Sequence, residues 1–258
     1  MSYPAWLALL SAVVALGERL SPARPSQPTL RKSLPWDIVY LVFNGHFLGA
    51  GLAVSFAYML APVLDGSGVS ALLDRSWISG WPLAAQAAAA VIGLDFIQWN
   101  VHRLLHAVPA LWRFHQVHHS VVDGEMGWIV SFRFHWMEAV IYKTAQYVPL
   151  ALLGFSGEAL MIHAVLGTLV GHLNHANLDW GHGPWRFVLN SPRMHIWHHD
   201  FNASPTRNFG IIFSSWDWMF GTAILPDHPP ARLGFPGVET LPPDFLRRSL
   251  WPLRIGDR

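Results

Sequence analysis

The sequence predicts an all-α fold: an integral membrane helical bundle carrying a helical cap. Three observations lead there. Apolar residues make up 52% of the 258 positions and charged residues only 13%, about half the usual charged share of a soluble domain. Several apolar stretches are long enough for membrane helices. The histidines, fifteen in all, gather in short clusters just beyond the ends of those stretches.

Five stretches define the elements in order. Residues 5–16 form the first, short for a span. The start of the chain, MSYPAWLALLSAVVALGERL, shows neither a basic leader nor a small-residue cleavage site, so a retained helix is expected. SPARPSQP, residues 21–28, is a linker. The second stretch, residues 37–64, is long and almost uncharged. The third, residues 81–99, is Ala-rich with one acid, Asp95. The fourth and fifth, residues 137–153 and 158–170, form a hairpin around the turn GFSG. A bilayer core needs about 20 apolar residues as helix, which the second and third stretches supply. The first stretch and the hairpin arms read as tilted spans or re-entrant helices. The sum is about four spans in two hairpins. Residues 1–35 form an N-terminal helix and linker, 36–225 the main domain, and 226–258 a Pro-rich tail in which LPPDFLRRSLWPL reads as a surface helix.

Basic residues sort the helix ends. Arg19, Arg24, Arg31 and Lys32 separate the first two stretches, Arg103 and Arg113 follow the third, Arg133 and Lys143 flank the fourth, and Arg186, Arg193 and Arg207 follow the fifth. The 65–80 loop and the GFSG turn are poor in Lys and Arg. The histidine clusters are therefore expected on the cytoplasmic face. Arg outnumbers Lys fifteen to two, which suggests a GC-rich bacterial genome and so a bacterial inner membrane. Helices apolar on every side argue against a soluble bundle. A net charge of +1 offers nothing to nucleic acid. The absence of cysteine excludes disulfides, thiolate metal sites and cysteine nucleophiles.

The histidine spacing carries the chemistry. His102 and His106 are i, i+4 partners on the helix continuing from the third stretch. His115, His118 and His119 stand at i, i+3, i+4, and His195, His198 and His199 repeat that pattern. Each set lies on one helical face. One His-x-x-x-His pair is an ordinary helical feature, but eight imidazoles on three faces at one membrane surface call for a common ligand. Neutral imidazole binds Fe, Zn, Cu and Ni, and eight are more than one metal takes, so a two-metal site is expected. His-Glu-x-x-His is absent, with Arg103 and Gln116 at the relevant positions, and so are the P-loop, the dinucleotide fingerprint and Gly-x-Ser-x-Gly.

DFIQWNVHRLLH, LWRFHQVHHS, FRFHWMEAVI, LNHANLDW, and PRMHIWHHD followed by NFG and SSWDWMFGT resemble, in order, the blocks of the fatty acid hydroxylase/sterol desaturase superfamily of membrane di-iron oxygenases. The resemblance runs from about Asp95 to Thr222 and is specific for the superfamily rather than for a substrate. It implies two Fe ions, with zinc as a substituted metal, on His102, His106, His115, His118, His119, His175, His195, His198 and His199. His172, one turn before His175, is a further ligand or a contact behind the ligands. Asp95, His135, Glu138, Asn177 and Asp217 are candidates for orienting ligands, with a helix cap or ion pair the plainer role for Asp217 and for Asp179. Asp200, where many relatives carry a small polar residue, reads as an extra acceptor or a turn residue. His46 and His163 read as packed or hydrogen-bonded core histidines, and His182 and His228 as loop residues. Trp99, Trp112, Trp128, Trp136 and Trp197 read either as tunnel walls or as interfacial anchors.

The implied reaction uses O₂ and two external electrons to hydroxylate or desaturate an unactivated C–H of a membrane lipid. Electrons are expected from a separate carrier, a small haem protein or a ferredoxin with its reductase, docking near Arg186, Arg193 and Arg207. The alternative is a membrane metal-binding or metal-transport protein without oxygenase activity. A transporter would spread its histidines along the spans, and a bis-histidine haem carrier would pair them across facing helices.

Overall fold

The computed structural model describes residues 1–68, 76–121, 125–181, 183–202 and 207–253. Among these residues the secondary structure is helical, apart from two isolated bridges pairing Leu189 with Phe213 and Asp200 with Leu233. The fold is therefore all-α, as expected. His182 and part of the 65–80 loop lie outside the described residues.

Helix α1, Tyr3–Leu20, opens with Pro4 in its first turn, where a missing N–H costs nothing. Helix α2, Leu34–Gly66, is one continuous 33-residue element containing two π-helical turns. At 1.5 Å per residue it is about 50 Å long, more than a hydrocarbon core requires. These two helices are long and apolar enough to cross a membrane, with mean hydropathy 1.2 and 1.9. The apolar window of α2 buries nothing inside the protein, and Phe47, Val54, Tyr58, Met59 and Val63 all point outward. His46, expected in the core, is exposed there beside Phe47, on a side of α2 turned away from the described protein core.

Helix α3, Leu83–Ala107, buries Gln86, Ala90, Leu94, His102 and His106 along one stripe and exposes Ile92, Phe96, Arg103 and Leu104 on the other. The short α4, Pro109–His115, follows directly. Helices α5, Trp136–Leu152, and α6, Gly157–His175, make the predicted hairpin. Gly154 supplies the positive φ of the turn, 79°. Ser156 caps α6 by accepting from Ala159 N, while Gln86 of α3 accepts from Ser156 N at 2.8 Å. Helix α6 is central and packs on α1, α3, the 3₁₀ turn Trp128–Phe132 and α7, Pro192–His198. Two short helices close the chain, α8, Ser215–Met219, and α9, Phe245–Leu250.

The C-terminal ends of α1, α3 and α6 meet the N-terminal ends of α2 and α5 at one end of the bundle. Glu18 near the end of α1 accepts from the backbone of Trp128 and Asn177 at 2.9 and 3.1 Å. Asn177 also ties down the linker, exchanging hydrogen bonds with Arg24. The start of α2 is fixed by a buried bidentate pair: Arg133 Nε and Nη2 donate to Asp37 Oδ1 and Oδ2 at 2.6 and 2.8 Å. The same guanidinium donates to Ser120 O at 2.6 Å and Ser33 Oγ at 2.9 Å. Every part of this charge pair is satisfied, which a buried ion pair requires.

Removing one partner leaves the other charge stranded. Asp37→Asn is expected to cost about 3–5 kcal/mol, measured as a lower melting temperature of the detergent-solubilised protein. Replacing both residues together with apolar ones should recover part of that loss.

A buried candidate metal centre

Nine of the ten predicted ligands come together at the gathered helix ends, and all nine are buried. They form two adjoining groups. His102, His106, His115, His119 and His198 make one, and His118, His175, His195 and His199 the other, with ring nitrogens within 4.8 Å of one another in each. The division cuts across the sequence clusters. His115 and His119 face one group while His118 faces the other, and His198 separates from His195 and His199 in the same way. The groups touch through His119 and His199, whose ring centroids are 4.4 Å apart.

The hydrogen bonds decide what these rings can hold. His102 Nδ1 lies 2.8 Å from Phe209 O, and His115 Nδ1 lies 2.9 Å from Glu138 Oε1. The Phe209 carbonyl requires N–H at His102 Nδ1, so in a neutral ring His102 Nε2 is a bare lone pair. Glu138 lies beside His115 Nδ1 at ion-pair distance without hydrogen-bond geometry. The Nε2 atoms of His102 and His115 face each other at 3.1 Å. The second group repeats the arrangement. His118 Nδ1 meets Arg133 O at 3.2 Å, His175 Nδ1 meets Gly171 O at 2.8 Å, and their Nε2 atoms face at 3.1 Å. Two acceptors cannot hydrogen-bond each other. Protonating one would relieve the clash, but burial first and neighbouring imidazoles second push His115 and His118 well below the ordinary histidine range. His119, His195, His198 and His199 are lowered chiefly by burial as well. A cation between the facing lone pairs resolves each group, and the soft-to-intermediate nitrogen donors suit a transition metal.

Backbone carbonyls do most of the orienting. Besides Phe209, Arg133 and Gly171, the carbonyl of Arg207 holds His198 Nδ1 at 2.8 Å. Phe209 is positioned by two carboxylates that touch no histidine. Asp217 accepts from Phe209 N, Gly210 N, Trp99 Nε1 and Thr222 Oγ1. Asp95 accepts from Ile212 N, Phe213 N and Trp216 Nε1 at 2.8 to 3.1 Å. The expectation that Asp95 and Asp217 contact ligand rings is thus corrected: their oxygens are filled by the backbone loop that carries the Phe209 carbonyl. Asn208 sits at φ 53°, a conformation Asn tolerates, and its amide bonds Met194 O and Ile224 O. At Gly210 an added Cβ would lie 3.0 Å from Asp217 Oδ2 and closer still to Phe213 O. These contacts explain the NFG segment.

Other expectations change too. His172 stands outside both groups, its Nε2 3.1 Å from Ser11 Oγ and its Nδ1 2.7 Å from Ser131 Oγ. Both nitrogens are therefore engaged where α6 meets α1. His135 has Nε2 at 3.0 Å from Ser249 O and accepts from Met137 N, so it orients the tail rather than a ligand. Asn177 serves Arg24 and the linker. Glu138 alone of the five candidates touches a ligand ring. Asp200 is buried and its backbone pairs with Leu233. His163 is buried with neither nitrogen hydrogen-bonded, and His228 is a loop residue against Pro229 O. Of the five Trp residues, Trp112 covers the first group, its ring 5.0 and 5.3 Å from those of His106 and His119. Trp99, Trp136 and Trp197 use their indole N–H groups as internal donors, and Trp128 packs on His172.

Residues 87–222, more than half of the chain, match the family model described as fatty acid hydroxylase, and the chain belongs to that family. It is 30% identical over 221 residues to an ornithine lipid hydroxylase of Rhizobium tropici, covering 84% of this chain and 66% of the relative. It is 29% identical over 153 residues to the alkylglycerol monooxygenase of Homo sapiens, covering 58% of this chain and 32% of the relative. It is 23% identical over 155 residues to methylsterol monooxygenase 1-2 of Arabidopsis thaliana, covering 56% and 50%. The chain spans about a third to two thirds of the length of these curated relatives. No solved structure matches it.

Glu138→Ala is expected to weaken metal retention by the first group about 10–100-fold, read by chelator titration, with Glu138→Gln restoring part because it keeps a polar side chain of the same size beside His115 Nδ1. A second expectation concerns acid. The buried rings bind protons less readily than they would in the unfolded chain, so the unfolded state takes up more protons below about pH 6.5. Stability of the metal-stripped protein should therefore fall as pH drops from about 7.5 to about 5.5, seen as a lower melting temperature.

Proposed function

We propose that the chain is a membrane-bound, O₂-dependent oxidoreductase that hydroxylates or desaturates an unactivated C–H of a lipid. The observation that carries this reading is the pair of facing Nε2 lone pairs, one in each histidine group, which fits two metal ions side by side. His102, His106, His115, His119 and His198 would hold one, and His118, His175, His195 and His199 the other. The family, and relatives named as lipid hydroxylase and monooxygenases, favour iron over redox-inert zinc. Two irons with O₂ and two electrons supply the oxidising power for a C–H bond.

The protein's own residues prepare that chemistry. Carbonyls of Phe209, Arg133, Gly171 and Arg207 fix four rings with Nε2 inward. Glu138 stands 2.9 Å from His115 Nδ1, close enough to influence the ring's orientation. The rings of Trp112 and Phe209 pack against His106 of the first group, at 5.0 and 5.4 Å.

The outward apolar faces of α1 and α2 support insertion in a bilayer. We read α3 and the α5–α6 hairpin as completing about four spans. The basic residues near the gathered helix ends favour a cytoplasmic site, in a bacterial inner membrane. Electrons would come from a separate small haem protein or ferredoxin. Arg186 and Arg207 stand exposed on the cap for such a partner, while Arg193 leans toward Asp179 and Asp227 at 4.0 and 3.9 Å.

The test is metal analysis together with lipid products formed under ¹⁸O₂. Two irons per chain and a labelled hydroxyl, or an unlabelled new alkene, are expected. A haem spectrum, or metal binding without any oxidised lipid, would overturn the reading. His118→Ala and His198→Ala should each lose metal and activity, and His228→Ala neither.

A further inference from the structure

A cavity of about 480 Å³ opens on the outer side of α3 and reaches the first histidine group. Asn100, Arg103, Leu104, His106 and Ala107 of α3 line it together with Phe209 and Thr222. Its single cation is Arg103, which is exposed and has no carboxylate partner among the described residues. The guanidinium is nevertheless held. Its Cζ lies 4.5 Å over the Trp99 ring, and Trp99 is fixed by its Nε1 bond to Asp217 at 3.0 Å. A planar cation stacked on a locked indole keeps its donors free and ordered for a carboxylate or phosphate.

The surroundings select the kind of anion. Leu104 at the cavity wall is 52% exposed, and Phe220, its ring tilted against Trp99 at 4.8 Å, is 51% exposed. Phe96, one turn before Asn100, adds another outward aromatic ring. Such a rim suits a molecule that is apolar outside the charge it presents. Arg103 also stands one turn beyond the apolar stretch that ends at Trp99, the level of lipid headgroups if α3 enters the bilayer.

We propose that this cavity binds the head of an anionic lipid, with Arg103 pairing to its phosphate or carboxylate and the first carbons beyond the head facing His106. The inference rests on the reading of the histidine groups as a lipid-oxidising centre and sharpens its substrate class. With the head held by Arg103 and His106 lining the same cavity, oxidation near the head is expected.

Binding can be read without turnover. The metal-loaded full chain in neutral detergent is titrated with pyrene-labelled phosphatidic acid and with pyrene-labelled diacylglycerol of the same chains. The phosphatidic acid should bind about tenfold tighter, as one charge-assisted pair provides. Arg103→Gln should abolish that preference while leaving diacylglycerol affinity and metal content unchanged, and Arg103→Lys should keep part of it. An undiminished preference in Arg103→Gln overturns the proposal. So does displacement of the labelled phosphatidic acid by an equal concentration of inorganic phosphate, which would mark a site for soluble anions. The ¹⁸O₂ experiment fails independently: a protein with an Arg103-dependent preference but no oxidised lipid retains this site and loses the oxygenase reading.

Discussion

The constraint on which the site depends is electrostatic: imidazole lone pairs pointed at one another inside the protein. His102 faces His115, and His118 faces His175, each pair at 3.1 Å, with the outer nitrogens of His102, His118 and His175 committed to backbone carbonyls and that of His115 beside Glu138. Water would ordinarily fill such a need, but these rings are buried. Protonation would fill it at the cost of packing like charges together. A cation satisfies both pairs without either penalty, and it repels the protons that would compete for the same lone pairs. The fold around the site can be understood as the means of holding those four rings in that attitude until the cation arrives.

That holding is done by main-chain oxygen, and main-chain oxygen must itself be placed. Phe209 O is set by a loop whose N–H groups are collected by Asp95 and Asp217. Asp95 lies on α3 seven residues before His102, so one helix carries both a ligand and part of the frame that orients it. Arg133 O is set by the residue's own side chain, anchored to Asp37 at the start of α2. Gly171 O needs nothing beyond α6, because it is the carbonyl one turn before His175. A charge placed in an apolar helix, such as Asp95, is thus balanced by backbone donors and used at one remove from the metal.

This arrangement accounts for what the amino-acid pattern revealed and what it hid. Periodicity was enough for the helices and for the His102/His106 pair, because i and i+4 positions meet on a helix. The two later sets do not share one helical face, since α4 ends at His115 and leaves His118 and His119 in a turn, and each set is split between the two groups. Periodicity did not reveal the five-and-four division, since that depends on how α3, the end of α4 and its turn, α6 and α7 are set against one another. The carboxylates were legible as buried groups with a purpose, yet their partners were not. Every residue carries a carbonyl and an N–H, so nothing in the letters at Phe209 or Gly171 distinguishes them. NFG did carry a local signal: Asn accepts a positive φ, and Gly210 leaves no room for a side chain. His172 misled because one helical turn from His175 looks like a shared face, while the crossing of α1 over α6 gives its two nitrogens to Ser11 and Ser131.

The same geometry limits where the site can be approached. His118, His175, His195 and His199 are buried, and none of them lines the cavity beside α3. His106 of the first group does line it. α3 turns its apolar residues Ile92, Phe96 and Leu104 outward along the same side. A molecule reaching the centre through that opening therefore meets apolar surface first, a fixed cation next and a histidine of the first group last. That order suits an amphiphile arriving sideways from a bilayer better than a water-soluble substrate, which would have to cross the apolar rim with nothing to compensate its lost hydration.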